Sequence, residues 1–379
     1  MLKDITEAGT YVGIPARRVY KMKVVVIAND SGGLYRFRGL LLEKLIFLGN
    51  NVVCLTPFGN SIKELNQIGV TLINTPIERR GINPFVDIKL FFNYWKIIKR
   101  EKPELVITYT IKPNIYGGII CRIKKIPYAV NITGLGTAFE NGGMLKRLVT
   151  VMNKLACKKA KVVFFENEEN RRIFIREKIA KENQTYRLNG AGLNLNTFHT
   201  TEYPVMGNTR FLFIGRVMAE KGISELFVAM KKLITDGVEC ELDILGEYEE
   251  NYKDQIEKYE AEGWLHYYGV QNDVRPFIER SHCFVLPSWH EGMANTNLEC
   301  AAMGRPVITS NIPGCMEAVI DGKTGYLVER KNANDLYKVM KQFTKLSYDQ
   351  RKAMGLAGRK HMEEVFDKKK VVQDTIRHL

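Results

Sequence analysis

Residues 23–28, KVVVIA, are apolar without a break, and after Asn29-Asp30-Ser31-Gly32-Gly33 the chain turns amphipathic in YRFRGLLLEKLIFLG. A short β-branched run, a glycine turn and a helical repeat open an α/β unit. The alternation continues through the runs NVVCLTP (51–57), VTLINTP (70–76), ELVITYT (104–110), PYAVNIT (127–133) and KVVFFEN (161–167). Helical patterns fill 84–100, 113–124 and 144–160 between the later runs. Strands that are apolar almost throughout, separated by helices, predict a parallel sheet covered on both faces.

A second series starts near Thr209. RFLFIG (210–215), ELDILG (241–246), WLHYYG (264–269), CFVLPS (283–288) and PVITS (306–310) are its strands, again with helical patterns between them. Glu202 to Asn208 reads as the linker. The expected fold is therefore α/β, two Rossmann-like doubly wound parallel-sheet domains facing an inter-domain cleft. Residues 22–203 make the first domain and 207–361 the second. The helix of about 362–379, interrupted near Phe366-Asp367, returns to the first. Residues 1–21 lie outside the pattern and resemble the last coil of a hexapeptide-repeat acetyltransferase. One such coil cannot stack alone, so a non-functional extension is expected.

Charge changes the picture. Residues 1–200 hold 32 Lys+Arg and 15 Asp+Glu, a balance of +17, whereas 201–379 hold 24 and 27, a balance of −3. A one-sided basic domain suits an anionic membrane surface or nucleic acid. No zinc spacing, RNP-like strand or basic dimer helix accompanies the excess, which sets the nucleic-acid module behind the membrane. No run of about 18 apolar residues occurs, and residues 1–21 lack a signal core, so the expectation is a cytoplasmic protein peripheral to the inner face of the cell membrane. Seven scattered cysteines without a CxxC pair are expected to be reduced.

Three segments of the second domain carry candidate chemistry. Gly215-Arg216-Val217-Met218-Ala219-Glu220-Lys221-Gly222 ends a strand and begins a helix, and two cations five residues apart at a helix start suit a diphosphate. Taken alone, a solvated helix start is the commoner meaning of this pattern. Glu291 and Glu299 bracket the next such turn, Glu291 within it and Glu299 one turn into the helix, where a carboxylate can accept both ribose hydroxyls. The amides of Met293 and Ala294 would meet a phosphate at that helix start. The third segment, Asn311-Ile312-Pro313-Gly314 to Gly325, says only that loops surround the cleft.

In this order and spacing the motifs GRxxxEKG, E-x(7)-E and PGxxExVxDGxxGxLV resemble the large family 4 of retaining glycosyltransferases with the GT-B fold, and the likeness spans residues 22–379. The resemblance implies that Arg216 and Lys221 hold a donor diphosphate, that Glu291 contacts donor-sugar hydroxyls, and that Glu299 takes the ribose. Gly215 would complete the donor site, and Gly32 and Gly33 would let the backbone approach the transferred sugar and phosphate. It implies a nucleotide sugar as co-substrate, no obligatory metal, and front-face attack with retention. Where many members carry His-Gly, this chain has Thr133-Gly134-Leu135-Gly136. That departure, with YRFR and INPF, resembles the subgroup acting on undecaprenyl-diphosphate-linked sugars, the N-acetylgalactosaminyltransferases of bacterial glycan assembly. A lipid-linked sugar acceptor is then expected in the first domain, with Arg36, Arg38, Lys112 and Thr133 as candidate contacts. A soluble acceptor and a sugar-nucleotide 2-epimerase are the rival readings within the fold.

Overall fold

The computed structural model describes residues 22–78, 83–135, 143–205 and 207–379. The expectation for residues 1–21 and that for Gly136 lie outside them. Alternation within each apolar run sends side chains to both faces of a sheet. In β1 (Lys23–Ile27), Val24 and Val26 pack into one buried cluster and Val25 and Ile27 into another. A strand buried on both faces needs helices on both sides.

The first domain supplies them as α1 (Ser31–Phe47), α2 (Ile62–Ile68), α3 (Pro84–Glu101), α4 (Ile111–Lys124), α5 (Gly143–Cys157) and α6 (Glu168–Arg176). They alternate with β2 (Asn51–Thr56), β3 (Thr71–Asn74), β4 (Leu105–Tyr109), β5 (Tyr128–Ile132), β6 (Val162–Phe165) and β7 (Thr185–Arg187). The sheet is parallel in the order β3-β2-β1-β4-β5-β6-β7. Helices α3, α4 and α5 share the face of Val25 and Ile27, through Tyr94, Ile120 and Cys157. Leu41 and Leu42 of α1 cover the other face.

The second domain repeats the plan with β8 (Thr209–Ile214), α7 (Ile223–Thr235), β9 (Cys240–Leu245), α8 (Lys253–Ala261), β10 (Leu265–Tyr267), α9 (Arg275–Arg280), β11 (Cys283–Leu286), α10 (Asn295–Ala302), β12 (Val307–Ser310) and β13 (Gly325–Val328). Its strand order is β10-β9-β8-β11-β12-β13, also parallel. Strand order therefore reverses between β1 and β4 in one sheet and between β8 and β11 in the other. Ligands of such sheets sit outside the carboxyl ends of the strands at that switch point. Asn29 to Gly33 follow β1, Gly215 and Arg216 follow β8, and Pro287 to Glu291 follow β11.

Three helices close the chain: α11 (Ala333–Thr344), α12 (Tyr348–Val365) and α13 (Lys368–His378). Ser347 and Gln350 form a capping box at the start of α12, and Asp367 caps α13. Met362 and Phe366 belong to the second core, whereas Val371 and Val372 pack with the first. The return thus begins at Lys368, a few residues later than the sequence suggested. The outward crossing comes earlier than expected. Leu188 lies in the first core, but Leu193 already lies in the second, and the Tyr203 hydroxyl donates to the His282 carbonyl at 2.7 Å. Residues 193–203 therefore belong with the second domain, because their apolar side chains bury there. The two crossings touch: the Leu193 amide donates to the Phe366 carbonyl at 2.7 Å and the Lys368 amide to the Leu193 carbonyl at 3.1 Å.

All seven cysteines are buried and unpaired. Burial pushes the Cys54, Cys121 and Cys157 thiols up to about 12, which keeps them protonated.

Candidate active site

The second domain's wall is set by close backbone approaches that only glycine permits. Gly222 adopts φ +74°, and a Cβ there would overlap the Pro287 carbonyl. This contact, with the Trp289 amide donating to the Glu220 carbonyl at 2.8 Å, seats the turn after β8 against the turn after β11. Lys221 and Glu291, seventy residues apart in sequence, consequently form an ion pair that is largely shielded from water. The Ser288 hydroxyl donates to the same Glu291 oxygen at 2.8 Å. Arg216, half exposed, lies 3.3 Å from Glu249. Gly215 follows β8 directly, its amide donating to the Leu245 carbonyl at 2.9 Å.

The start of α10 differs from expectation. The Ala294 amide donates to the Gly314 carbonyl at 2.7 Å, so it is engaged within the protein rather than offered to a phosphate. Gly314, at φ +87°, brings the Pro-Gly turn onto the 291–294 segment, and its own amide is held by Glu317 at 2.7 Å. Met293 is buried beneath Gly190, one of the residues of the outward crossing.

Glu299 is 2% exposed. Its Oε1 accepts from Arg36 Nη2 at 2.6 Å, and its Oε2 is buried with no hydrogen-bond partner. Burial pushes the carboxyl up, against the opposing pull of the Arg36 and Lys368 cations. Arg36 was expected among acceptor contacts; the structure puts it on Glu299, from across the cleft.

On the first domain's wall, Gly32 and Gly33 lie inside the first turn of α1 rather than in a loose turn before it. Asp30 caps that helix, its carboxylate accepting from the Gly33 amide at 2.6 Å. Arg38 does not stand at an open surface. Its guanidinium is paired with Glu166 at 2.6 Å, both about 9% exposed, and lies over the Tyr109 ring at 4.7 Å. Burial pushes the Glu166 carboxyl up, and Arg38 opposes that shift only in part. Lys112 is likewise committed, to Asp87 at 2.7 Å, an ion pair that ties α4 to α3. Thr133 sits against the second domain: a Cβ on Gly292 would overlap its carbonyl. Nearby, Asn167 caps α6 and donates to the Gly292 carbonyl at 2.7 Å.

Sequence reasoning missed Glu166, Asn167, Ser288 and Lys368. Asn167 alone left a local trace, as an Asn before a helix with acids in its first turn. Among the described residues no group of three or more His, Cys, Asp or Glu is placed to hold a metal ion.

Two doubly wound domains whose switch points face each other, with paired cations and carboxylates on one wall, define the GT-B class of cleft enzymes. A profile described as "Glycosyl transferases group 1" matches residues 202–361, and one described as "Glycosyl transferase 4-like" matches residues 24–167. The chain belongs to the group 1 glycosyltransferases, the retaining family 4, and is an enzyme of that family. It is 27% identical over 332 residues to the N,N'-diacetylbacillosaminyl-diphospho-undecaprenol alpha-1,3-N-acetylgalactosaminyltransferase of Campylobacter jejuni, covering 83% of this chain and 87% of that protein. It is also 27% identical over 329 residues to the capsular polysaccharide biosynthesis glycosyltransferase CapM of Staphylococcus aureus, covering 80% and 83%. Among solved structures, HepE of Anabaena in complex with UDP and glucose superposes with a TM-score of 0.77 at 16% identity, covering 94% of this chain and 98% of that one. A glycosyltransferase from Rickettsia africae does so with 0.74 at 19%, covering 94% and 97%. These likenesses bear on the fold.

Proposed function

We propose that the protein moves a hexose or N-acetylhexosamine from a UDP-sugar to a lipid-diphosphate-linked glycan, with retention, in the assembly of bacterial surface polysaccharide or glycan. The observation that carries the donor half is the convergence of Arg216, Lys221 and Glu291 at the β8/β11 switch point. Breaking the bond to the diphosphate leaves positive charge on the sugar ring and negative charge on the leaving group. Lys221 and Arg216 oppose that negative charge, and Glu291 meets the sugar's hydroxyls. Both cations are held by carboxylates beforehand, so their direction is fixed before the donor arrives. The Anabaena neighbour was solved in complex with UDP and glucose, which supports a uridine nucleotide as the donor's carrier. Front-face attack, with the leaving phosphate taking the acceptor's proton, is what the family resemblance implies.

The acceptor half rests on the relatives and on one surface. The Campylobacter relative and an Escherichia coli alpha-1,3-galactosyltransferase, 25% identical over 285 residues, are both named for diphosphoundecaprenol-linked sugars. Helices α3 and α5 start at the carboxyl ends of strands, beside the cleft, and expose Phe85 (83%), Phe92, Met144 (86%) and Leu148. Lys89, Lys96, Lys99 and Arg147 are exposed on the same two helices. Apolar residues next to cations on a helix surface suit the interface of an anionic bilayer. No helix among the described residues is long and apolar enough to cross a membrane.

Transfer assays with a short-chain isoprenoid-diphosphate sugar and a panel of UDP-, GDP- and ADP-sugars test this reading. Product is expected with a UDP-sugar and the lipid-linked acceptor. Turnover only onto a free oligosaccharide would replace the acceptor.

A further inference from the structure

The family resemblance assigns Glu299 to the donor's ribose, and the structure adds a partner that the sequence did not reveal. Arg36 stands on α1 of the first domain, 263 residues away in sequence, and reaches Glu299 Oε1 at 2.6 Å. Its side chain is 53% exposed, whereas that of Glu299 is 3% exposed. The backbone beneath is held too: Lys368 Nζ donates to the Arg36 carbonyl at 2.6 Å. Lys368 is the first residue of α13, directly after the returning crossing. Three parts of the molecule thus meet at one residue, Arg36: α1, α10 through the guanidinium, and the joint between the domains through the backbone carbonyl.

The carboxylate's two oxygens are unequal. Oε1 is engaged by Arg36, and Oε2 is buried with no partner. A buried carboxylate oxygen without a hydrogen bond is costly and suits a ligand that brings a donor group. A ribose hydroxyl does so. It can bind Oε2 while Arg36 stays on Oε1, so both contacts are made together. The guanidinium beside Oε1 opposes the burial that pushes the Glu299 carboxyl up, and so favours its charged form.

We propose that Arg36 is a donor-positioning residue, the first domain's share of the nucleotide site. It shares Glu299 with the ribose, so that filling the donor site fastens the two domains together. This rests on the donor reading above and replaces the acceptor role expected for Arg36. The coupling is reciprocal: if Arg36 closes the cleft over a nucleotide, the nucleotide must favour the closed cleft equally.

The test uses the full chain and UDP as the probe. Isothermal titration is run on the wild type, Arg36→Gln, Arg36→Lys, Glu299→Gln and the Arg36→Gln/Glu299→Gln double variant, each checked for an unaltered melting temperature. Arg36→Gln is expected to weaken UDP about tenfold or more, the scale of one charge-assisted contact. Arg36→Lys keeps the charge, folds if the glutamine does not, and is expected to lie between. In the Glu299→Gln background, losing Arg36 is expected to add less than about twofold, because its partner is gone. In steady state the donor KM rises and the acceptor KM stays put. Unchanged or tighter UDP binding, additive losses in the double variant, or a rise confined to the acceptor KM would overturn the proposal. The donor reading fails separately: a wild type that binds GDP or ADP instead of UDP corrects the base, and the same cycle with that nucleotide tests Arg36. A wild type that binds no nucleoside diphosphate sinks both.

Discussion

On the second domain's wall, Arg216 pairs with Glu249 and Lys221 with Glu291, in the turns that follow β8, β9 and β11. On the first domain's wall, Arg38 is buried against Glu166, and Lys112 on α4 pairs with Asp87 on α3, each within that domain. The same residue types serve different ends. Cations at the switch point of β8 and β11 stand where the proposed donor diphosphate would bind. The first domain's counterparts hold α1 to the end of β6 and α4 to α3. Lysine and arginine near a strand end are therefore poor guides until their partners are known, and the sequence reading of Arg38 as an acceptor contact was made without sight of Glu166.

Substitutions on the two walls separate the roles. Arg38→Ala leaves Glu166 buried without a counter-charge, which costs about 3–5 kcal/mol. Denaturant unfolding is expected to show that loss, with turnover per folded molecule little changed; a stable protein with crippled transfer would return Arg38 to the site. Lys221→Ala is expected to do the reverse. It removes a contact that tightens as the leaving group gains charge, worth roughly 2–4 kcal/mol or about 10²–10³ in rate. An unaltered kcat would take Lys221 out of the donor site.

The helical code and the motif spacing were open to reading because each is local. Apolar runs such as KVVVIA report burial on both faces wherever they pack, and a strand–turn–helix places Arg216, Lys221 and Glu291 without knowledge of the rest. Arg36–Glu299 and Arg38–Glu166 span 263 and 128 residues, and no spacing rule reaches so far. The Ala294 amide looked free because helix starts usually leave such amides open. Only the packing of the Pro-Gly turn gave it the Gly314 carbonyl. Thr110 hid for a related reason: a β-branched residue is not expected at φ +73°, where the chain turns from β4 into α4.

A gentler contrast concerns the surface. Reversing Lys96, Lys99 and Arg100 to Glu is expected to weaken flotation with anionic vesicles by more than about a hundredfold, since losing the three cations alone costs about 1 kcal/mol per charge. Binding by the wild type should also fall as salt is raised. Equal recovery with neutral and anionic lipid would leave the excess of +17 as solvated charge. The matching reversal of exposed lysines in α8 of the second domain should change nothing. Smallest of all, Thr110→Gly relieves a strained backbone and is expected to stabilise the fold by about 1 kcal/mol in chemical denaturation. A loss of stability there would mean that the threonine side chain supports the turn.

The touching crossings bear on how such enzymes diversify. Leu193 and Phe366 are joined by a single hydrogen bond, while everything between them folds around one core. In topological terms the donor half is a cassette inserted into the acceptor half, its entry and exit side by side. A recombination that replaced residues 193–366 as one piece would keep α13 on the first domain's core, where Val371 and Val372 already pack. It would carry Glu291 and Glu299 along with their own loops. Cutting once at the linker instead would exchange α13 as well and present the first core with a foreign helix. A lineage with this layout can replace one whole domain by a double exchange at neighbouring joints, leaving the other domain's wall of the cleft as it was.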